Sequence, residues 1–191
     1  MSYDAIKKAA LELFATQGYE GTSLSQIADK VGIKKQSIYS HFKNKDELYL
    51  QLVEETFDIE LRRIRHSLEL KAKQPLYDCL LDALSSYMER YQDDYRLKFS
   101  LRISFFPSIH LYEQVMNAVY DYIDAVDALY FQQFEQAERN QIIQVDAKTA
   151  TLSFSALIDS ICLELVYGGL DRTKRKLEAS WHVYWSGLTK S

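Results

Sequence analysis

Thr22-Ser-Leu-Ser-Gln-Ile-Ala-Asp-Lys-Val-Gly-Ile-Lys-Lys-Gln-Ser-Ile-Tyr-Ser-His-Phe-Lys-Asn-Lys45 is the stretch from which the rest of this chain can be read. Leu24, Ile27, Ala28 and Val31 recur at helical spacing and would bury one face of a short helix. Ser23 with Gln26 three residues on fits a capping box, which satisfies amides orphaned at a helix start; Thr22 is the alternative cap. Gly32 stands where the helix must stop and the backbone must take a positive φ. Beyond it Ile33, Ile38 and Phe42 can face inward. Lys34, Lys35, Gln36, Ser37, Tyr39, Ser40 and His41 then remain outside. Two short helices around a tight turn, the second with a polar outer face, make a helix-turn-helix pattern.

Charge is distributed in the same sense. Residues 1–45 hold seven lysines against four acids, a net of +3, and the chain total of −4 therefore leaves −7 for the remainder. No acid falls between Lys30 and Lys45. An acidic chain has gathered positive charge around one short helix, as a phosphate backbone requires of its partner. Hydroxyl and amide groups of Thr22 and Ser23 at a helix start offer an anion site, and Lys45 holds the equivalent place at the start of a later helix. Lys35 and Gln36 suit base edges, since lysine can donate to guanine and glutamine can pair with adenine; Lys34 and Ser40 join them as candidates.

Working outward, the pattern predicts an all-α fold of about nine helices. Glycine is absent between Gly32 and Gly168, the prolines are Pro75 and Pro107, and apolar residues repeat every three to four positions. A first helix over 3–17, burying Ile6, Ala9, Ala10, Leu13 and Phe14, braces the reader. Asn44 with Glu47 signals a helix from Lys45 toward Lys73. Pro75 belongs to the first turn of the next, Asp93-Asp94 marks a turn, and a short helix over 95–105 ends before Pro107. A long helix over 109–139 follows, then one from Asp146 or Ala147 to Tyr167 closed by Gly168-Gly169, and a last over 171–188.

Other function classes leave no trace. There is no glycine-rich phosphate loop, no His-Glu-x-x-His, no paired cysteines at metal spacing and no nucleophile motif, so no enzyme, cofactor or metal site is expected, His41 included. Cys79 and Cys162, far apart, suit buried thiols in a reducing compartment. The N-terminus lacks a basic segment followed by an apolar run, and the sequence is read as having no 18-residue apolar span, so a cytoplasmic protein with no membrane partner is expected.

Thr22 to Ala28, Val31 to Phe42 and Lys43-Asn-Lys-Asp-Glu-Leu48, preceded by Ala9-Ala-Leu-Glu-Leu-Phe14 and Gly18-Tyr-Glu-Gly-Thr22, closely resemble the DNA-binding domain of TetR-family transcriptional regulators. The resemblance covers about the first 50 residues. It implies a three-helix DNA-binding domain over 1–46 and a helical effector-binding and dimerisation domain over 47–191. It also implies a homodimer on a palindromic operator, and a repressor released by a small molecule. Tyr39 and His41 match family positions that commonly touch phosphate, and Ser37 is a further candidate for the same contact. The last two helices, by the same resemblance, form the dimer interface. Phe154, Ile158, Ile161, Leu165, Trp181 and Trp185 are the candidates there, since apolar residues cover more of the penultimate helix than one contact needs. Phe99, Arg102, Phe105, Phe106, Tyr112, Tyr120 and Tyr130 are the effector candidates, with weakly charged aromatic walls that suit an apolar or aromatic ligand. The rival readings are a helical protein-interaction module and an activator-type regulator without an effector.

Overall fold

In the computed structural model, which describes residues 3–189, Ser23 caps a helix over Leu24–Val31 with the expected reciprocal box. Its Oγ accepts from the Gln26 amide at 3.3 Å, and the Gln26 side chain accepts from the Ser23 amide at 2.7 Å. At the other end Gly32 takes φ 76, ψ 35, and the Ile33 amide reaches back to the Ala28 carbonyl at 3.0 Å. A side chain at Gly32 would pay for that left-handed turn, which glycine adopts freely.

This helix is the second of nine α-helices among the described residues: α1 Tyr3–Gln17, α2 Leu24–Val31, α3 Lys35–Ile38, α4 Lys45–Leu70, α5 Leu76–Tyr91, α6 Tyr95–Phe105, α7 Tyr112–Arg139, α8 Ala147–Tyr167 and α9 Leu170–Thr189. The described residues contain no strand. The expected long helix over 109–139 is divided. Ile109–Leu111 form a single 3-10 turn after Pro107, and the α-helix begins at Tyr112. Pro75 lies one residue ahead of α5, at the cap, where its missing amide removes no helical bond. Asp94 caps α6 by accepting from the Arg96 and Leu97 amides, and Asp146 caps α8 by accepting from Thr149.

The chain divides into two units by internal contact. Among the described residues, the first unit runs up to residue 60 and resumes over 93–121, and the second comprises residues 61–92 and those from 122 onward. The sequence boundary at residue 46 falls at the start of α4, inside the first unit.

In the first unit α1 packs on α2 and α6, burying Ile6, Ala9, Ala10, Leu11, Phe14 and Ala15. Leu13, expected inside, is only half-buried, because α6 covers the flank that carries Leu11 and Ala15. Phe14, Tyr49 and Phe99, none more than 2% exposed, form the aromatic centre. The Phe14 and Tyr49 rings meet edge-on at 4.9 Å and Tyr49 and Phe99 at 5.5 Å, geometries favoured by the ring quadrupole.

In the second unit α5 packs on α8 and α9, and α8 packs on α9. Tyr130, Phe134 and Phe154 are buried together, with Tyr130 and Phe154 centroids 4.8 Å apart. Cys79 and Cys162 are both buried thiols outside any disulfide, and burial pushes the Cys79 thiol up. The expectation of no long apolar span is corrected by α8. It is long and apolar enough to cross a bilayer, with a mean hydropathy of 1.5 over its most apolar window. Length and composition cannot tell such a helix from a core helix, and Phe154, Leu157, Ile158, Ile161 and Leu165 are all buried within the unit.

Candidate nucleic-acid interface

Ile38 and Phe42, 0% and 2% exposed, anchor α3 and the turn after it, and this fixes which side chains point outward. Phe42 also stacks on Tyr3 of α1 at 5.1 Å. Lys34, Lys35, Gln36, Ser37, Tyr39, Ser40 and His41 are all exposed, so seven polar side chains share one outer surface over eight positions. Tyr39 is half exposed, at 50%, and stays outside the core. The Ser40 hydroxyl donates to the Ser37 carbonyl at 2.7 Å, and the His41 ring lies edge-on to Tyr3 at 5.9 Å. Lys30 is drawn aside by Glu12 at 2.7 Å, whereas the lysines at 34 and 35 carry no ion pair among those the structure gives.

Two of the expected phosphate contacts are placed differently. Thr22 is 1% exposed and its hydroxyl donates to the Gly18 carbonyl at 2.8 Å, so it closes the α1–α2 connection. Ser23 remains exposed as the cap. Lys45 turns inward. Its Nζ donates to the carbonyls of Tyr19 at 2.9 Å and Thr22 at 3.0 Å and lies 3.8 Å from the centre of the Tyr19 ring. Those carbonyls belong to a connection that ends no regular helical ladder, and a cation is the strongest available donor for them. The positive charge on α4 thus supports the reader from behind.

Next to Lys45 the sequence reading missed a cluster. Asp46 accepts from the Tyr19 hydroxyl, and its other oxygen lies 2.9 Å from His110 Nε2. The Tyr19 hydrogen bond, followed by that of His110, holds the Asp46 carboxyl below its ordinary value. Burial, followed by the same Asp46 bond, raises the Tyr19 phenol. The three residues lie up to 91 positions apart in the chain, and no local pattern links them.

The effector candidates do not share one environment. Phe99 is core of the first unit and Tyr130 core of the second. Arg102 is committed to the end of α1 through the carbonyls of Ala15 and Thr16. Phe105 is half-buried, while Phe106, Tyr112 and Tyr120 are 45%, 51% and 56% exposed. Their helical spacing suggests one set, but α6 and α7 carry these aromatic residues to different surroundings.

The dimer candidates lie mostly in the interior of the second unit. Phe154, Ile158, Ile161, Leu165 and Trp181 are at most 9% exposed inside the second unit, and Trp185 is half-buried against Tyr77. The bulkiest apolar residues of α8 and α9 serve the unit's own core. The apolar side chains left outside are Leu152, Leu163 and Tyr167 on α8 and Val183 on α9.

Residues 6–52 match the model of the bacterial regulatory proteins of the tetR family. The biofilm operon icaADBC HTH-type negative transcriptional regulator IcaR of Staphylococcus aureus strain Newman is 37% identical over 93 residues, 46% of this chain and 48% of that protein. Its counterpart in Staphylococcus epidermidis is 46% identical over 55 residues, 29% of this chain and 30% of that protein. The chain thus spans less than half the length of these curated relatives. Among solved structures, reduced NemR of E. coli superposes with a TM-score of 0.77 at 17% identity, covering 98% of both chains. FadR of Bacillus subtilis in complex with stearoyl-CoA gives 0.69 at 20% identity, covering 98% of this chain and 100% of that one. These two likenesses carry the fold. The matched residues run from Ile6 through α1, α2 and α3 into α4, so it is this N-terminal reader that is similar to the tetR family of bacterial regulatory proteins.

Proposed function

We propose that this chain is a sequence-specific DNA-binding transcriptional regulator, a cytoplasmic homodimeric repressor that a small apolar or aromatic effector releases from a palindromic operator. The observation that carries the reading is the outer surface of α3 and its flanks, where Lys34, Lys35, Gln36, Ser37, Tyr39, Ser40 and His41 stand exposed in a stretch without acids. A major groove admits one helix, and side chains of these kinds can meet base edges and phosphates. Lys35 and Gln36 read bases, with Lys34 and Ser40 beside them. Ser23, Ser37, Tyr39 and His41 contact phosphate. Lys45 and Thr22 act indirectly, by holding the connection that positions α2.

Negative regulation is supported by the likeness to IcaR in the reader, and a ligand-responsive second part by the likeness to FadR, solved with stearoyl-CoA. Dimerisation rests on the outer faces of α8 and α9. Leu152, Leu163, Tyr167 and Val183 are exposed there beside small side chains such as Ala156, Ser160 and Ala179, which let a partner's helices approach closely. An isologous pairing would present two recognition helices about 34–36 Å apart, one turn of the duplex.

Selection of bound genomic fragments tests the function. An enriched palindrome, bound less tightly as salt rises, is the expected result. Binding that is indifferent to sequence and salt would favour a protein-interaction module instead.

A further inference from the structure

The turn that follows α3 is fixed in its backbone. The His41 and Phe42 amides both return to the Ile38 carbonyl, at 2.9 and 3.0 Å, and the Phe42 side chain is buried. The His41 side chain is exposed, and among the described residues its imidazole nitrogens have no hydrogen-bond partner. What orders this ring is half-buried Tyr3, the first residue of α1. Tyr3 stands edge-on to His41 with centroids 5.9 Å apart and 62° between the planes, and it stacks on Phe42 at 5.1 Å and 14°. Phe42 itself comes to His41 only at 6.5 Å. The Tyr3 ring is held in turn, because Lys7 Nζ lies 4.9 Å from its centroid and the same ammonium pairs with Glu55 of α4. The Lys7 side chain is only 16% exposed, so this cation serves the inside of the reader.

We propose that Tyr3 is a positioning residue for DNA binding, whose ring holds the His41 imidazole in the orientation from which a ring nitrogen meets a backbone phosphate. The inference rests on the reading of His41 as a phosphate contact and adds to it a residue that lies outside the helix-turn-helix. A hydrogen bond to a phosphate oxygen weakens steeply once the donor is misaligned, so an imidazole free to turn forms it poorly. A side chain ordered before binding also has less freedom to lose when it grips its ligand. Edge-on packing against an aromatic ring supplies that order without occupying either imidazole nitrogen. The ring of Tyr3 carries the effect, and its hydroxyl takes no part. Because phosphates carry no sequence information, the contribution is the same on every duplex.

The probe needs no operator, since phosphate contacts form on any sequence: a fluorescently labelled duplex of arbitrary sequence at low salt is sufficient. Full-length wild type, Tyr3→Phe, Tyr3→Leu, His41→Ala and the double variant Tyr3→Leu/His41→Ala are titrated by anisotropy. Circular dichroism melts confirm that each is folded, and Tyr3→Met, a more pliant filler over Phe42, replaces Tyr3→Leu if that variant is not. His41→Ala should weaken binding about three- to tenfold, the loss of one hydrogen bond to a charged oxygen. Tyr3→Leu, which keeps an apolar side chain over Phe42 but no ring, should weaken it about threefold, and Tyr3→Phe should bind as wild type does. In the His41→Ala background Tyr3→Leu should weaken binding no further, because the two residues act as one unit. Unaltered affinity in His41→Ala would overturn the phosphate reading and this inference with it. A loss in His41→Ala with none in Tyr3→Leu would overturn this inference alone. A loss by the same factor in both backgrounds would make Tyr3 a packing residue, and a loss in Tyr3→Phe would make its hydroxyl a contact in its own right; either result overturns the assignment.

Discussion

Arg102 of α6 donates from Nε to the Ala15 carbonyl at 3.0 Å and from Nη2 to the Thr16 carbonyl at 3.2 Å, joining residues 87 positions apart. The last carbonyls of a helix lack intrahelical partners and form the negative end of its dipole, so a guanidinium there satisfies both needs. Gly18, next in line at φ 76, leaves room for the fork; a Cβ built there would meet Arg102 Nη1 at 3.3 Å. Arg102→Ala should lower unfolding stability by about 1–2 kcal/mol in urea titration. Arg102→Lys should restore less than half of that, since one ammonium cannot hold both carbonyls in the planar geometry.

Asp46 gives a pH signature. Its carboxyl is held below its ordinary 3.8, by the Tyr19 bond first. A depressed folded value means a contribution fully present above the unfolded value and lost as pH falls through the folded one. Wild type should therefore be more stable than Asp46→Asn at pH 7 by an amount unchanged down to about pH 5. The gap should narrow progressively below pH 3.8. A gap that stayed constant down to pH 2 would show that Asp46 acts by shape and not by charge.

On the reader, positioning and specificity should separate. Gln36→Ala should relax preference at one base position by about 1–3 kcal/mol. Tyr39→Phe, which removes only a hydroxyl, should weaken all duplexes alike. Lys45→Ala should act through stability: its Nζ bonds two carbonyls of the first unit, so thermal unfolding should fall along with affinity for every sequence. Fluorescence anisotropy on a set of single-base operator variants, with melts of each mutant, distinguishes the three.

Assembly is tested by a pair of variants on one helix. Leu163 is 43% exposed and Ile161 is fully buried. Leu163→Asp should leave a folded monomer in sedimentation, because its carboxylate stays in water once the partner is gone. Ile161→Asp should unfold the chain, since it places an unpaired carboxylate in the core. A dimer that survives Leu163→Asp would put the interface elsewhere.

Gly21 should resist substitution for a steric reason alone. A Cβ there would collide with the Gln17 carbonyl, a backbone atom that cannot turn aside. Gly21→Ala should destabilise the first unit by about 1–3 kcal/mol, whereas Gly187→Ala, with open space around it, should not. Differential scanning calorimetry of the two variants makes the comparison.

The reader was legible in the sequence because its determinants are local. Ser23 and Gln26 are three residues apart, Gly32 follows its helix directly, and Ile38 and Phe42 are one turn apart. Helical periodicity likewise located every long helix to within a few residues at either end. Periodicity, however, says that a face is apolar and not what will cover it. Ile161 and Trp181 were therefore indistinguishable from Leu163 and Val183 until α5 was seen to cover one side of α8 and α9. Lys45 looked like a free cation because the carbonyls it serves lie 23 and 26 residues back, and Asp46 gained its partners from Tyr19 and His110 in the same way. Caps, turns and amphipathic faces are fixed by neighbours within one or two turns of the chain. The pairing of Arg102 with Ala15 and the fate of each aromatic ring depend on which helices meet, and this only the packed chain decides.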